Sequence, residues 1–396
     1  MADKIGIWLI GARGGVATTA IVGLLALQKK LTANHGLVSE LPQFSDVGLS
    51  DWSQFVVGGC DIRDTTLEDE ATKLSTESKL LSAELLDACK EDFTAIDQQI
   101  TPGTIFNVGK TISDLADPEM TKKDSTPKAI IESIKSDLSN FAENNQLSKV
   151  IVMNVSSTEP TVDGSALPSN WSEFEPILEN EDCILAASSI YGIAALQLGM
   201  PFLNFTPSLG TAPNAICELA EAHGTCHMGH DGKTGETLLK SSLAPMFQHR
   251  NLNVMSWVGH NIFGNLDGKV LDDPENKQTK VVSKDRLLGQ ILGYDPQTLV
   301  SIEYIKSLGD WKTAWDHIHF QGFLSTPMTM QFTWQGSDSI LAAPLVLDLV
   351  RFTEMASRRG EVGLLTDLCS FFKSPHGIEE NNFVRQFQLL EQWAAR

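Results

Sequence analysis

The sequence predicts an α/β fold in which a doubly wound, mostly parallel sheet is interrupted by a second domain with its own sheet. Three features of the 396-residue chain predict it. An apolar run at residues 4–9 leads through a glycine-rich turn into an apolar helical pattern. Continuous apolar strands then alternate with helical patterns, as in parallel sheets that are covered on both faces. After residue 224 the strands alternate polar and apolar residues instead, which is typical of an open, mainly antiparallel sheet.

The amino-terminal strand, turn and helix form the first unit. The turn reads GARGGVATT and opens an apolar helical pattern that ends near Gly36. Small residues in such a turn allow a pyrophosphate to approach the backbone N–H groups at the start of the helix. The pattern therefore predicts a Rossmann-type dinucleotide-binding unit, with a purely structural turn as the alternative. Arg13, within the turn, is a candidate partner for a phosphate.

Polar residues follow the later parallel strands where each strand ends. The strand FVVGGCDI carries Asp61 at its carboxyl end, and two further strands run into the polar segments 155–159 and 204–210. Ligands of open α/β sheets bind outside the carboxyl ends of the strands. Asp61 is therefore a candidate ligand contact, although many residues in such a position only cap the next helix.

The segment 224–335 is predicted to be an inserted α+β domain, and residues 1–223 with 336–396 a discontinuous first domain. The insert begins with CHMGHDGKTGET, whose cysteine, histidines and aspartate match no zinc-site spacing, so no metal site is predicted. Strands with alternating character follow, at residues 253–261, 299–306, 316–324 and 328–334. A long apolar helix that begins near Ser337 or Asp338 then returns the chain to the first sheet.

Composition and charge argue against two classes of partner. The chain carries 30 Lys and Arg against 50 Asp and Glu, which gives a formal net charge of -20. Such a charge repels the phosphates of nucleic acids and anionic lipids, so we expect no nucleic-acid and no membrane partner. The longest apolar runs are shorter than the roughly 18 residues of a membrane span. Six cysteines without a CxxC spacing suit buried thiols in a reducing cytoplasm.

A cluster of lysines lies in residues 265–316 of this acidic chain. Its members are Lys277, Lys280, Lys284, Lys306 and Lys312, and they alternate with the carboxylates of Asp267, Asp310 and Asp316. One interpretation is a solvated surface. The other is the wall of a site that binds an anion and exchanges protons with it. The residues alone leave both interpretations open.

Several motifs, in order along the chain, resemble those of one enzyme family. SSTEP is similar to the family's ANTE turn, DGKTGET to its D-x-K-SGQT loop, and GNLDG to its GNNDG. TKVVSKDRLL is similar to its K-x-x-S-K box, GDWKTAWD to its GD-S-K-x-A-x-D segment, and GSDSILAAPLVLDL to its EDSLLA-P-ILDL helix. The family is that of the myo-inositol-phosphate synthases. The resemblance covers most of the chain and is to a bacterial-type member.

The resemblance implies a set of site residues. Those expected to surround the substrate and carry the catalysis are Lys280, Lys284, Lys312, Lys373, Asp310 and Asp338. Those expected along the cofactor are Gly11, Gly14, Gly15, Val16, Ala17, Thr18, Asp61, Ser156, Ser157, Asp231, Asn265 and Asp267. Lys277 and Lys306 lie outside the matching positions and are expected at the surface.

The resemblance also implies an activity. The expected reaction is the cyclisation of D-glucose 6-phosphate to myo-inositol phosphate, with oxidation at C5, aldol closure between C1 and C6, and re-reduction. Tightly bound NAD is expected to be recycled, and a monovalent or divalent cation is a further candidate cofactor. The expected setting is inositol and phospholipid biosynthesis in the cytoplasm, by a homotetramer joined through the central sheet. The alternatives are an NAD-dependent dehydrogenase or other cyclase of a sugar phosphate, and a non-catalytic NAD-sensing module.

Overall fold

The computed structural model describes residues 3–271 and 287–396, and the strands in this part form two sheets. In chain order the strands are β1 (Lys4–Ile10), β2 (Phe55–Asp61), β3 (Ile100–Pro102), β4 (Leu147–Asn154), β5 (Phe202–Asn204), β6 (Cys226–Gly229), β7 (Asn253–Phe263), β8 (Gln297–Tyr304), β9 (Trp311–Gln321), β10 (Pro327–Ser337) and β11 (Gly363–Leu364). The first sheet has the order β11-β6-β5-β4-β1-β2-β3, and each neighbouring pair is parallel. The predicted parallel sheet is thereby confirmed.

Helices cover both faces of this sheet. All helices of the described residues are, in chain order, α1 (Gly15–Gln28), α2 (Leu67–Thr76), α3 (Ala83–Asp97), α4 (Lys110–Ser113), α5 (Pro127–Asn145), α6 (Trp171–Phe174), α7 (Ala187–Gln197), α8 (Asn214–Ala222), α9 (Gly235–His249), α10 (Leu266–Leu271), α11 (Asp338–Arg358) and α12 (Phe383–Ala394), and residues 287–292 are helical as well. In β1, Ile7 and Leu9 join the apolar core that includes α1 and α11. Trp8 and Ile10 join the core with α5 and α7. Because successive strand residues point to opposite faces, a strand that is apolar throughout needs a cover on each side.

The second sheet has the order β10-β9-β7-β8. β9 is antiparallel to β7 and to β10, whereas β7 and β8 are parallel, so the sheet is mixed, with antiparallel pairs in the majority. α9 packs on one face, where Phe247 joins Trp257 and Ile318 in a separate apolar core. The four strands overlap the alternating runs in the sequence, as predicted.

The division of the chain at residues 224 and 336 remains a prediction. Strand β6 lies after residue 224 and nevertheless pairs with β5 and β11 in the first sheet. The second sheet begins at Asn253 and continues directly from β10 into α11. Strand β6 has only four residues and lies in a polar loop sequence, so the sequence does not reveal it. A strand is recognised from several alternating or continuous apolar positions.

Candidate active site

A cleft of about 500 Å³ lies between the carboxyl ends of the parallel strands and the second sheet. The carboxyl ends of β1, β2, β4, β5 and β6 contribute one wall. The carboxyl ends of β7 and β8, the start of β9 and the start of α11 contribute the other. This is the crevice in which ligands of open α/β sheets bind. The fold therefore brings the glycine turn and the charged residues of the second sheet to one place.

The glycine turn after β1 has the geometry of a pyrophosphate cradle. Gly11 has a φ of 81°, and a side chain there would place its Cβ 2.9 Å from the Cα of Ser156. α1 starts at Gly15, and the residue before it, Gly14, provides no capping side chain. The first turn of α1 also holds no acidic residue. An anion can therefore approach the positive end of α1 closely, as a dinucleotide requires.

Arg13 and Asp61, in and near the turn, bind other groups of the protein. The Arg13 guanidinium pairs with Asp97, with Nε 3.0 Å from Oδ1, and its residue is 7% exposed. The expectation that Arg13 contacts a phosphate is therefore wrong. Asp61 lines the cleft as expected, and its carboxylate accepts hydrogen bonds from the backbone N–H groups of Arg13, Ile62 and Arg63. It fastens the glycine turn to the end of β2.

The remaining residues expected along the cofactor divide into two groups. Those that line the cleft are Gly11, Gly14, Gly15, Val16, Asp61, Ser156, Ser157, Asp231, Asn265 and Asp267. Ala17 and Thr18 do not, because both are fully buried in α1 at 0% exposure. The helix turns their side chains into the protein interior, which a linear motif does not reveal.

Buried amides organise the ends of β4 and β5. Asn154 Nδ2 donates to Asn204 Oδ1 at 3.1 Å, and Asn204 Oδ1 also accepts from the Thr206 hydroxyl at 2.9 Å. Asn154 in turn accepts from the hydroxyl of Ser156 at 2.8 Å. Both asparagines are 0% exposed. They fix the polar loops that follow these two strands. Asn204 lies in the polar segment 204–210 of the prediction, whereas Asn154, the last residue of β4, lies just before the segment 155–159.

Lys373 and Asp231 form an ion pair in the cleft wall. Lys373 Nζ lies 2.7 Å from Asp231 Oδ1, and their side chains are 11% and 6% exposed. The backbone reinforces this pair, because Lys373 N donates to Asp231 O at 2.7 Å. The two residues, expected on substrate and cofactor respectively, therefore meet at one point.

Lys312 projects from β9 on the other side of the cleft. Its Nζ lies 3.4 Å from Asp338 Oδ1 at the start of α11, and 5.0 Å from the centre of the Phe263 ring. The lysine and aspartate side chains are 18% and 19% exposed, so both remain accessible to a ligand. An ammonium group in this half-buried position can donate to oxygen atoms of a bound molecule.

Asp310 lies deeper than Asp338, and its carboxylate binds the residues at the start of α11. Its carboxylate accepts from the hydroxyls of Ser337 and Ser339 and from Asn265 Nδ2, the last at 3.3 Å. Burial raises the pKa of Asp310 above its usual value, against the lowering effect of these hydrogen bonds. Asn265 also caps α10, since its Oδ1 accepts from Gly268 N at 2.9 Å.

Two expected catalytic lysines, Lys280 and Lys284, lie outside the described residues, as does Lys277. Lys306, expected at the surface, is exposed but lines the cleft. Glu159, in the SSTEP motif, also lines the cleft. Four further charged residues of the cleft lie outside the motifs, namely Arg63, Glu70, Lys73 and Glu77. Their position at the cleft depends on the tertiary structure and not on a spacing in the sequence.

Within residues 3–271 and 287–396, no three His, Cys, Asp or Glu side chains are grouped so as to hold a metal ion. None of the helices that the structure describes has both the length and the apolar character needed to cross a membrane.

Comparison with known proteins agrees with this geometry. Residues 5–395 match the family model described as myo-inositol-1-phosphate synthase. The inositol-3-phosphate synthase 1 of Bacteroides thetaiotaomicron is 32% identical over 98% of this chain and 94% of its own. The inositol-3-phosphate synthase of Saccharomyces cerevisiae is 27% identical over 90% of this chain and 74% of its own.

Solved structures share the fold. The inositol-3-phosphate synthase of Caenorhabditis elegans superposes with a TM-score of 0.88 at 24% identity, covering 99% of this chain and 85% of its own. A myo-inositol-1-phosphate synthase-related protein of Thermotoga maritima gives 0.80 at 23% identity, covering 99% and 98%. Because the family model matches nearly the whole chain, the protein belongs to the myo-inositol-1-phosphate synthase family.

Proposed function

We propose that this protein cyclises D-glucose 6-phosphate to myo-inositol phosphate, using NAD that it holds tightly and recycles. The observation that carries the proposal is the meeting of two kinds of group in one cleft. The glycine turn around Gly11 forms a dinucleotide cradle, and Lys312 and Lys373 line the same cleft. The sugar phosphate is an anion whose reaction develops negative charge on oxygen, so it needs ammonium groups beside a nicotinamide.

The residues of the cleft fit NAD. Gly11, Gly14 and Gly15 leave room for the pyrophosphate at the start of α1, and Ser156 with Asp231 would lie further along the dinucleotide. When bound, NAD supplies the acceptor and later the donor of the hydride at C5 of the sugar. We propose that it is recycled, because the substrate and product have the same oxidation state.

A narrow side pocket of the cleft, of about 10 Å³, has room for about one water molecule, so we propose that the substrate phosphate binds beside it in the main cleft. The side pocket is lined by Lys312 and Lys373 together with Thr234 and Thr237 at the start of α9. Thr234 precedes α9 and its side chain makes no capping hydrogen bond within the described part of the chain. The start of α9 and the Lys373 ammonium group together favour a dianion. Glu236 also lines this side pocket, and its carboxylate is engaged by Lys240 Nζ at 2.6 Å and by Asn261 Nδ2 at 2.6 Å.

The lysines supply the charge that the chemistry needs. We propose that Lys312 donates to the oxygen atoms on which charge develops during removal of a C6 proton and attack of the resulting enolate on C1. Lys280 is proposed to share this role, and Lys284 to share with Lys373 the binding of the phosphate. Asp338 would hold the Lys312 ammonium in place, and Asp310 the start of α11.

The decisive experiment separates the cyclase from a dehydrogenase. The purified protein is incubated with glucose 6-phosphate and NAD, and the products are treated with phosphatase. We expect a periodate-sensitive cyclitol and no net rise in NADH absorbance. A stoichiometric rise in NADH without cyclitol would support the dehydrogenase, and unchanged glucose 6-phosphate would refute the proposal. Repeating the assay with EDTA, and with sodium, potassium or ammonium as the salt, tests the candidate cation.

We propose a cytoplasmic homotetramer that assembles through the uncovered face of the second sheet, and a role in inositol and phospholipid biosynthesis. Trp315 is 42% exposed and Leu299 is 52% exposed on this sheet. Light scattering should report four chains in the wild-type particle and a smaller particle for Trp315→Glu. The matched control is Ile184→Glu, which charges a 46% exposed apolar residue elsewhere and should leave the mass unchanged.

A further inference from the structure

We propose that Glu70 determines a preference for NAD over NADP by engaging Arg63, an arginine that would otherwise bind a 2′-phosphate. The inference rests on the proposed function, because it concerns the cofactor of that reaction. It adds a specificity residue on α2 that lies outside the motifs of the sequence.

Arg63 lies where the adenosine ribose of a dinucleotide is expected. It follows the end of β2, and it lines the cleft together with Glu70 and Lys73 of α2. In Rossmann-type sheets an acidic residue near the end of this strand contacts the ribose hydroxyls, whereas an arginine nearby accommodates the 2′-phosphate of NADP. Arg63 therefore has both the position and the chemistry of a 2′-phosphate partner.

The guanidinium of Arg63 is already engaged on three sides. Its Nη1 lies 3.4 Å from Glu70 Oε1, and its Nε lies 3.4 Å from Asp61 Oδ1. Its Nη2 donates to the carbonyl oxygen of Arg13. The side chain is 17% exposed. A 2′-phosphate would have to displace a carboxylate from this arginine.

Glu70 is held in place by more than Arg63. Its Oε1 accepts from Lys73 Nζ at 2.7 Å and from the Thr65 hydroxyl at 3.0 Å, and the residue is 8% exposed. A fixed carboxylate in this position repels a phosphate. Without the Glu70 charge, Lys73 would lose its carboxylate partner and Arg63 would keep only Asp61, so both cations could turn to a phosphate.

Glu70 is a better determinant than Asp61. The Asp61 carboxylate accepts from three backbone N–H groups and fastens the glycine turn, so replacing it would disturb the binding of either dinucleotide. The Glu70 carboxylate, in contrast, contacts the side chains of Arg63, Thr65 and Lys73. Its charge can therefore be removed with the backbone of the turn left in place.

The test measures dissociation constants of NAD and NADP by calorimetry, on the full chain freed of bound nucleotide. Glu70→Gln keeps the shape of the side chain and removes its charge, and Glu70→Ala provides a second removal. The matched control is Glu68→Gln, which removes the same charge from an exposed position of α2 that pairs with Lys90. Thermal melting establishes that each variant is folded.

We expect the wild type to bind NAD at least about tenfold more tightly than NADP. Glu70→Gln should narrow this ratio by about tenfold through tighter NADP binding, and adding Arg63→Ala should abolish the gain. Glu68→Gln should keep the wild-type ratio. A folded Glu70→Gln that binds NAD and retains the wild-type ratio overturns the inference and leaves the proposed function intact. If the wild type binds neither dinucleotide, the proposed cofactor and this inference both fail.

Discussion

Lys373 Nζ donates to Asp231 Oδ1 at 2.7 Å, although the two residues are 142 positions apart in the sequence. The loop after β6 and the segment before α12 meet here, and the backbone of residues 230–233 hydrogen-bonds to that of residues 371–374. The prediction assigns Asp231 to the inserted domain and Lys373 to the first domain. Because β6, just before Asp231, pairs with β5 and β11, the ion pair is built on the parallel sheet, while Lys312 belongs to the second sheet. The proposed substrate site is thus formed where two sheets meet.

Lys373→Ala is expected to reduce kcat/KM for glucose 6-phosphate by roughly 100-fold, the effect of losing charge-assisted hydrogen bonds to a phosphate. Most of the loss should appear in KM. Steady-state kinetics of cyclitol formation measures it. Lys110→Ala is the control, because it removes the same charge from an exposed lysine of α4 that pairs with Asp114. A wild-type KM in folded Lys373→Ala would contradict the proposed phosphate site.

Lys312→Ala should lower kcat by about 100-fold or more, because it removes a donor to an oxygen that becomes charged in the transition state. Lys306→Ala provides the comparison within the same cleft, since Lys306 lines it but is exposed. We expect Lys306→Ala to keep kcat within about tenfold of wild type, as solvent weakens its interactions. Equal losses in both variants would show that position in the cleft is irrelevant and would argue against the proposed role.

Gly11→Ala should weaken NAD binding and destabilise the fold. Gly224→Ala is the comparison that separates backbone strain from the close approach of Gly11 to Ser156. Both glycines have positive φ, 81° and 63°, so either alanine costs about 1 kcal/mol in backbone strain. At Gly11 the new Cβ would also lie 2.9 Å from Ser156 Cα, whereas at Gly224 no atom lies within 4 Å.

Calorimetric titration with NAD and denaturant unfolding of both variants measure these effects. Gly224→Ala should lose stability alone and bind NAD like the wild type. Gly11→Ala should lose more stability and at least about tenfold in NAD affinity, because the backbone of the cradle must move. Equal NAD affinity in the two variants would show that the close approach at Gly11 does not shape the cofactor site.

Glu159→Gln should change the pH dependence of stability. Burial raises the pKa of Glu159 to about 7, against hydrogen bonds from the backbone N–H and hydroxyl of Ser188. The folded state then binds a proton more tightly than the unfolded chain. The contribution of this group is therefore fully present below its unfolded pKa and is lost as the pH rises to about 7.

Above that pH the wild type should lack on the order of 3 kcal/mol of stability that a permanently neutral side chain would retain. Urea unfolding at pH 5 and pH 8, without nucleotide, measures the difference. Between these pH values Glu159→Gln should lose less stability than the wild type, whereas Glu143→Gln, which changes an exposed residue of α5, should behave like the wild type. Parallel pH profiles for Glu159→Gln and wild type would show that Glu159 stays charged throughout.

The elements of the fold could be predicted because they depend on local patterns. The continuous apolar runs of β1 and β4 require a covered, parallel sheet, and the alternating runs after residue 253 require a sheet with one apolar face. The glycine turn could be predicted as well, because its small residues lie close together in the sequence. The short strands β3, β6 and β11 are the exceptions, because two to four residues are too few to show a period.

The candidate site could likewise be predicted only in part from the sequence. The residue types were readable in the sequence, including Lys312, Lys373 and Asp231, whereas the partner of each charge was decided only by packing. Arg13 faces Asp97, 84 positions away. Arg63 and Glu70 are only seven positions apart, but one follows β2 and the other lies in α2, so their contact beside the cleft depends on how the chain turns between these elements. Residues in a linear pattern define which charges exist, but an ion pair depends on distances between side chains, and these are set by helices and strands that are remote in sequence.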